Sequence, residues 1–267
     1  MTNYMNEFYI SILVALVSCS IGFINYIWYI SIGYGLAIAA IGIYLIIAFH
    51  SSLNLATSLS CILFILYGLR LSIYLYIRES KSSYNDKIKG EIKPSDSISL
   101  IYKLFIWISC SLLYGFMTCP VTFRLISEKK SDLLHIISLF ITLFGLIIET
   151  LADLQKDSAK KINPNRFVDT GLYKIVRCPN YFGEIIIWTG VFIGGITIYD
   201  YLYYWIFAIL GYILIIYVMF SGARRLEIRQ NKCYSKDNEY KEYVKNTPII
   251  IPLIPIYSVE KYTWLVA

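Results

Sequence analysis

Residues 201–220 read YLYYWIFAILGYILIIYVMF, twenty positions without a charged side chain. About 20 apolar residues span the hydrocarbon core of a bilayer as a helix. A segment away from water can satisfy its backbone only as a helix or within a closed barrel. The stretch lacks the alternation of barrel strands, so it is read as a helix. Six further runs of this character lie at 8–24, 31–49, 53–77, 100–119, 133–152 and 181–198. With 57% hydrophobic and 16% charged residues over 267 positions, the chain is too apolar for a soluble domain of its size. The expected fold is all-α, a polytopic bundle of about seven transmembrane helices. It forms one membrane domain over 1–267, in the endoplasmic reticulum of a eukaryote or the inner membrane of a bacterium.

With seven crossings, the loops after the third and fifth spans share a side with the C-terminal tail. They carry Arg78, Lys81, Lys87, Lys89 and Lys93, then Lys156, Lys160, Lys161, Arg166, Lys174 and Arg177, then the bases from Arg224 to Lys261. The other side has only Arg124, Lys129 and Lys130. Positive loops stay cytosolic, which places the N-terminus outside or in the lumen and the C-terminus in the cytosol. The start carries Glu7 and no basic n-region, so it is not read as a secretory signal. The net charge of +6 expresses this topology. No basic helix stands clear of the membrane, so membrane lipids are expected as partners and nucleic acid is not.

Cys19, Cys61, Cys110, Cys119, Cys178 and Cys233 are scattered, and His50 and His135 are isolated. That pattern supports neither a disulfide framework nor a metal centre. No GxGxxG or GxxxxGK[ST] occurs, which excludes a Rossmann or P-loop domain. A nucleotide cofactor would have to bind the helices themselves. Gly90 and Pro94 break a polar loop over 80–99. The connection 156–180 contains turns at Asn163-Pro164-Asn165 and Thr170-Gly171, with a short interfacial helix expected over 172–176. Residues 232–246 read as one charged helical segment, and Pro248, Pro252 and Pro255 keep the chain beyond it from continuing as helix.

Polar chemistry concentrates late in the chain. Glu149 and Asp153 stand at i and i+4, on one face of the fifth span near its cytosolic end, and Lys156 and Lys160 continue the stripe. Such a stripe could grip a polar cofactor, carboxylates on ribose hydroxyls or an amide and ammonium groups on phosphate. It could equally be a snorkelling helix end with compensating pairs. The run Arg177-Cys178-Pro179-Asn180-Tyr181-Phe182-Gly183-Glu184 is more specific. Pro179 suits the first position of a helix, Asn180 its first turn, and Gly183 a close approach of backbone or ligand. Arg224 and Arg225 are read as membrane anchors or as phosphate ligands.

Glu149-x-x-x-Asp153, Gly171-Leu172-Tyr173-x-x-x-Arg177 and Cys178 through Glu184-x-x-x-Trp188 together resemble the steroid 5-alpha-reductase family, in its broad branch found in bacteria and many eukaryotes. The likeness extends to Tyr67-Gly68-Leu69-Arg70-Leu71 with Arg78, to Ser221-Gly222, and from Glu239-Tyr240 to Pro252. It implies a seven-helix membrane reductase that uses NADPH, with residues 1–132 forming the substrate side and 133–257 the cofactor side. Carried over, Glu149, Asp153, Lys160, Asn180, Glu184 and Arg224 become cofactor contacts, and Arg177 and Tyr181 of the same motif join them. The implied chemistry is hydride delivery to the β-carbon of an enone, with an acid on the carbonyl oxygen.

Steroid-reducing members place a glutamate and a tyrosine around that carbonyl. Here the second span opens with Asn25-Tyr26-Ile27-Trp28, without a carboxylate, and Leu75 occupies the tyrosine position between Tyr74 and Tyr76. Tyr74, Tyr76 and Asn25 are therefore the candidate catalytic residues, and the substrate is expected to be a lipid-soluble enone or enoyl compound. Two other readings stand beside this one. Membrane methyltransferases that use S-adenosylmethionine share an arginine, a spacer and a proline before a tyrosine, and an inactive scaffold could keep the same fold.

Overall fold

Residues 5–80 and 95–266 are described by a computed structural model. Lys81, Lys87, Lys89, Lys93, Gly90 and Pro94 lie outside the described residues. The described chain is helical: α1 (Asn6–Cys19), α2 (Ile32–Ala48), α3 (Leu55–Glu79), α4 (Leu100–Ile126), α5 (Leu133–Ile162), α6 (Pro179–Gly195), α7 (Leu202–Tyr234) and α8 (Asn238–Asn246). Short 3-10 turns precede α2 and follow α6. Among the described residues seven helices are long and apolar enough to cross a membrane, and the protein is an integral, multi-pass membrane protein.

Caps and breakers set the helix ends. Asn54 and Thr57 exchange hydrogen bonds across the start of α3, the reciprocal box that satisfies two orphan donors. Ser99 accepts from the Tyr102 N–H at the start of α4 (3.3 Å). Pro179 opens α6, where its missing N–H costs nothing. Three helices outrun their apolar stretches, α4 to Ile126, α5 to Ile162 and α7 to Tyr234. Once nucleated, a helix continues beyond the hydrocarbon until something stops it; Asn163-Pro164 stops α5. The charged segment 232–246 is not one helix. Asp237 accepts from the backbone N–H groups of Glu239 and Tyr240 and starts α8 afresh. The interfacial helix expected over 172–176 is a single 3-10 turn, Gly171–Lys174.

The chain divides into two compact units, Met1–Leu139 with Val191–Tyr212, and Phe140–Gly190 with Ile213–Ala267. In the first, small residues let helices meet backbone to backbone, as packing within lipid favours. A Cβ at Gly68 would lie 2.3 Å from the Gly35 carbonyl oxygen, and one at Gly211 2.6 Å from that of Phe116. The Phe116 carbonyl is the one that Pro120, inside α4, leaves without its helical donor. Phe8, Phe123, Tyr204 and Phe207 fill the space between α1, α4 and α7, the rings of Phe123 and Tyr204 3.9 Å apart.

Arg124 is a buried hub of this unit, 2% exposed. Its Nε and Nη2 donate to the Gly194 carbonyl (2.9 and 2.7 Å), Nη2 also to Thr197 Oγ1 (2.7 Å), and Nη1 to Asp132 (3.1 Å). It is thus an internal tie, and of the three bases on its side of the membrane only Lys129 and Lys130 are exposed. Asp132 also accepts from the Thr197 hydroxyl (2.6 Å) and from the His135 N–H at the start of α5 (2.9 Å).

In the second unit α5 and α6 cross at Gly145 and Gly183. A Cβ at Gly183 would lie 2.7 Å from the Glu149 nitrogen, and one at Gly145 2.6 Å from that of Ile187. Backbone cannot yield there, so Gly183→Ala is expected to cost ~1–3 kcal/mol, read as a lower thermal midpoint of the purified protein. A second expectation concerns acid. Burial alone would raise the Asp132 carboxyl, but the Thr197 hydroxyl, the His135 N–H and Arg124 outweigh it and hold it at about 2, below its ordinary 3.8. The stabilisation is present above the ordinary value and is lost as pH falls toward 2. Asp132→Asn should remove that part of the acid sensitivity between pH 4 and 2, as followed by unfolding across this window.

Candidate functional site

Glu149 and Asp153 lie on α5 one turn apart, 3% and 5% exposed. Glu149 sits where Gly183 brings the backbone of α6 against α5, and Glu184, the next residue, is also buried. The helical spacing of 149 and 153 and the glycine at 183 thus bury three acids in neighbouring helices. Asn180 and Tyr181 occupy the first turn of α6 and are half-buried. The Tyr181 ring lies over Gly222 of α7, its hydroxyl 3.1 Å from where a Cβ would be.

The connection between α5 and α6 is pinned from both sides. Gly171 adopts φ +61°, which a side chain would disfavour, and its neighbour Leu172 donates its N–H to Gln155 Oε1 on α5 (2.8 Å). The Tyr243 hydroxyl of α8 donates to the Tyr173 carbonyl (2.6 Å). Phe167 packs in an aromatic cluster with Tyr234, Tyr240 and Tyr243. Burial pushes the Tyr240 hydroxyl up to about 12 and raises that of Tyr243, so both stay protonated donors.

Arg177 pairs with Glu227 of α7 at 2.9 Å, both almost fully buried. The same guanidinium nitrogen donates to the Tyr257 carbonyl, and Glu227 accepts the Val259 N–H (2.8 Å). The backbone N–H groups of Arg177 and Cys178 donate to Pro248 and Ile249 (2.9 and 2.8 Å). One ion pair therefore joins the start of α6, the later turns of α7 and the C-terminal segment. The Arg177 guanidinium also faces the Tyr240 hydroxyl. The neighbouring Cys178 thiol is pushed up to about 12 by burial, against the pull of Arg177 and Lys156, so it is no nucleophile at neutral pH.

Other candidates are spent on the chain itself. Lys160 donates to the carbonyls of Pro164 (3.2 Å) and Arg166 and to the Tyr234 hydroxyl (3.3 Å). Arg224 donates to the carbonyls of Glu260 (3.0 Å) and Leu265 (3.3 Å). In the first unit, the Asn25 side chain accepts from the Ile27 N–H (3.2 Å) and caps the turn 26–29. Tyr74 is half-buried on α3, whereas Tyr76 is 59% exposed. Two acids that no motif marks in the sequence also carry contacts. Glu79, at the end of α3, accepts from the Trp28 indole (2.8 Å), and Glu227 holds Arg177. Glu227 had a legible signal, an acid one turn beyond Arg224 in a span's final turns.

Residues 13–247 match the family described as a protein of unknown function, DUF1295, and the chain belongs to it. That family is distantly related to the superfamily of steroid 5-alpha-reductases and isoprenylcysteine methyltransferases. No curated protein and no solved structure matches the chain significantly.

The buried pair leads to a double-mutant expectation. Arg177→Met or Glu227→Gln alone leaves a buried charge without its counterion and should cost ~3–5 kcal/mol. The double variant should recover a large part of that loss, and thermal unfolding of all four proteins measures the coupling.

Proposed function

We propose that this DUF1295 protein is an NADPH-dependent membrane reductase of a carbon–carbon double bond conjugated to a carbonyl, in a lipid-soluble substrate. The observation that carries the reading is the burial of Glu149, Asp153 and Glu184 within membrane spans. Acids at such depth are costly, and function is their default explanation. The side chains suit the polar groups of a dinucleotide. Carboxylates accept from ribose hydroxyls and the nicotinamide amide, Asn180 and Tyr181 sit in the first turn of α6, and cations suit phosphate. Phosphate would have to compete with backbone carbonyls for Lys160 and Arg224. The basic loops and tail put this end of the chain in the cytosol, where NADPH is held.

Bound NADPH would supply the hydride for the β-carbon. The chain's own task is then to donate a hydrogen bond as enolate charge develops on the substrate oxygen. Tyr74 suits that task better than the exposed Tyr76. Asn25 keeps its amide donors while its oxygen caps the turn 26–29. To that turn Glu79 brings the carboxylate that the second span lacks.

A second reading, an S-adenosylmethionine-dependent lipid methyltransferase, draws on the family's distant relation to isoprenylcysteine methyltransferases. One experiment separates the two. A ligand that binds only the folded state adds RT ln(1 + [L]/Kd), ~2.7 kcal/mol at a hundred times Kd. NADPH should raise the thermal midpoint in a graded way and S-adenosylmethionine should not. Asn180→Ala or Glu184→Gln should abolish the shift while the protein stays folded. A shift with S-adenosylmethionine alone makes this a methyltransferase, and silence from both in folded protein favours an inactive scaffold.

A further inference from the structure

Tyr217, Arg224, Glu227 and Asn231 are spaced by seven, three and four residues along α7 and so share one face. All four hold the C-terminal segment. The Tyr217 hydroxyl donates to the Trp264 carbonyl (2.9 Å) and accepts the Val266 N–H (3.1 Å). Arg224 takes the carbonyls of Glu260 and Leu265, Glu227 takes the Val259 N–H, and Asn231 donates to the Glu260 carboxylate (2.6 Å). Val259 and Leu265 are buried by this grip.

What the grip leaves outside includes large apolar side chains among the polar Ser258, Glu260, Lys261 and Thr263. Leu253 is 100% exposed and Trp264 64%, and Ile254, Tyr262 and Val266 are exposed with them. Leu253 stands between Pro252 and Pro255 at φ 66°, the left-handed region that costs a side-chain-bearing residue ~1–2 kcal/mol. A leucine held out at that cost, with no burial in return, calls for a surface to meet.

The level of Trp264 in the fold identifies that surface. Ile213 and Leu214, one turn before Tyr217, are exposed on a membrane span. The Trp264 ring stacks 6.2 Å from that of Tyr217. Arg224 comes two turns later, ~10 Å along the helix. Trp264 thus lies between a lipid-facing stripe and the first arginines, the level at which tryptophan and tyrosine gather in membranes. Arg225 and Lys261 are exposed at the same end of α7 and of the segment, with Lys261 Nζ 5.1 Å over the Tyr262 ring.

We propose that residues 248–266 form a membrane-interface foot. Leu253, Ile254 and Trp264 enter the boundary of headgroups and acyl chains, and Arg225 and Lys261 meet anionic headgroups. Lipid is the occupant because this surface continues the lipid-facing side of α7 and ends in bases.

The test uses full-length protein in lipid nanodiscs, with Cys110→Ser and Cys233→Ser to silence the accessible thiols. An environment-sensitive fluorophore is placed at Leu253→Cys or Trp264→Cys, and at Lys236→Cys as an exposed reference. The expected result at both sites is quenching by a nitroxide carried high on the acyl chain. Iodide should quench them several-fold less than the reference, with more protection in phosphatidylglycerol than in phosphatidylcholine. Iodide access equal to the reference at either site overturns the proposal. So does protection from iodide without lipid quenching, the signature of a second copy or another protein. Thermal unfolding of each labelled protein keeps a misfolded variant from being counted.

Discussion

The second unit depends on one buried ion pair. Arg177 and Glu227 are 50 residues apart in sequence, yet their contact ties the start of α6 to α7, and through the Tyr257 carbonyl and Val259 N–H to the C-terminal segment. Taking two charges from water is costly, so such a pair contributes little to net stability compared with an apolar replacement. Its effect is on specificity. Only one register lets the guanidinium meet both the carboxylate and the Tyr257 carbonyl, and that register presents Asn180, Tyr181 and Glu184 on the first turns of α6. Glu184 of the proposed site is therefore positioned by a pair that itself need not touch a ligand.

The spans were legible because hydrophobic length is a local property of sequence, and all seven apolar runs correspond to helices. Where helices end was less legible. Polar helices continue into water under their own hydrogen bonds, and only breakers such as Asn163-Pro164 or a cap such as Asp237 mark the stop. At the site, the i,i+4 spacing of Glu149 and Asp153 and the small Gly183 could be read directly, since helical periodicity and close crossings follow from residue type. What Arg177, Lys160 and Arg224 hold could not, because their partners are distant in sequence or are backbone carbonyls, which carry no sequence signal.

The first unit shows the same principle from the other end of a helix. Arg124 looks in sequence like one of three bases that decide topology, but four hydrogen bonds to Gly194, Thr197 and Asp132 make it part of the interior. A charge near a span's end is thus ambiguous until its partners are known. Glu79 is a related case, since it reaches the Trp28 indole from a different helix. A contact between side chains of two distant elements is invisible to a motif read along the chain.

If the buried acids of α5 and α6 hold a cofactor, hydrogen–deuterium exchange will locate it. In nanodiscs, saturating NADPH should slow amide exchange over residues 149–156 and along the connection 163–180. Exchange in α1 should be unchanged. Exchange in both segments that is the same with and without NADPH would contradict a cofactor site there, as would protection confined to the first unit.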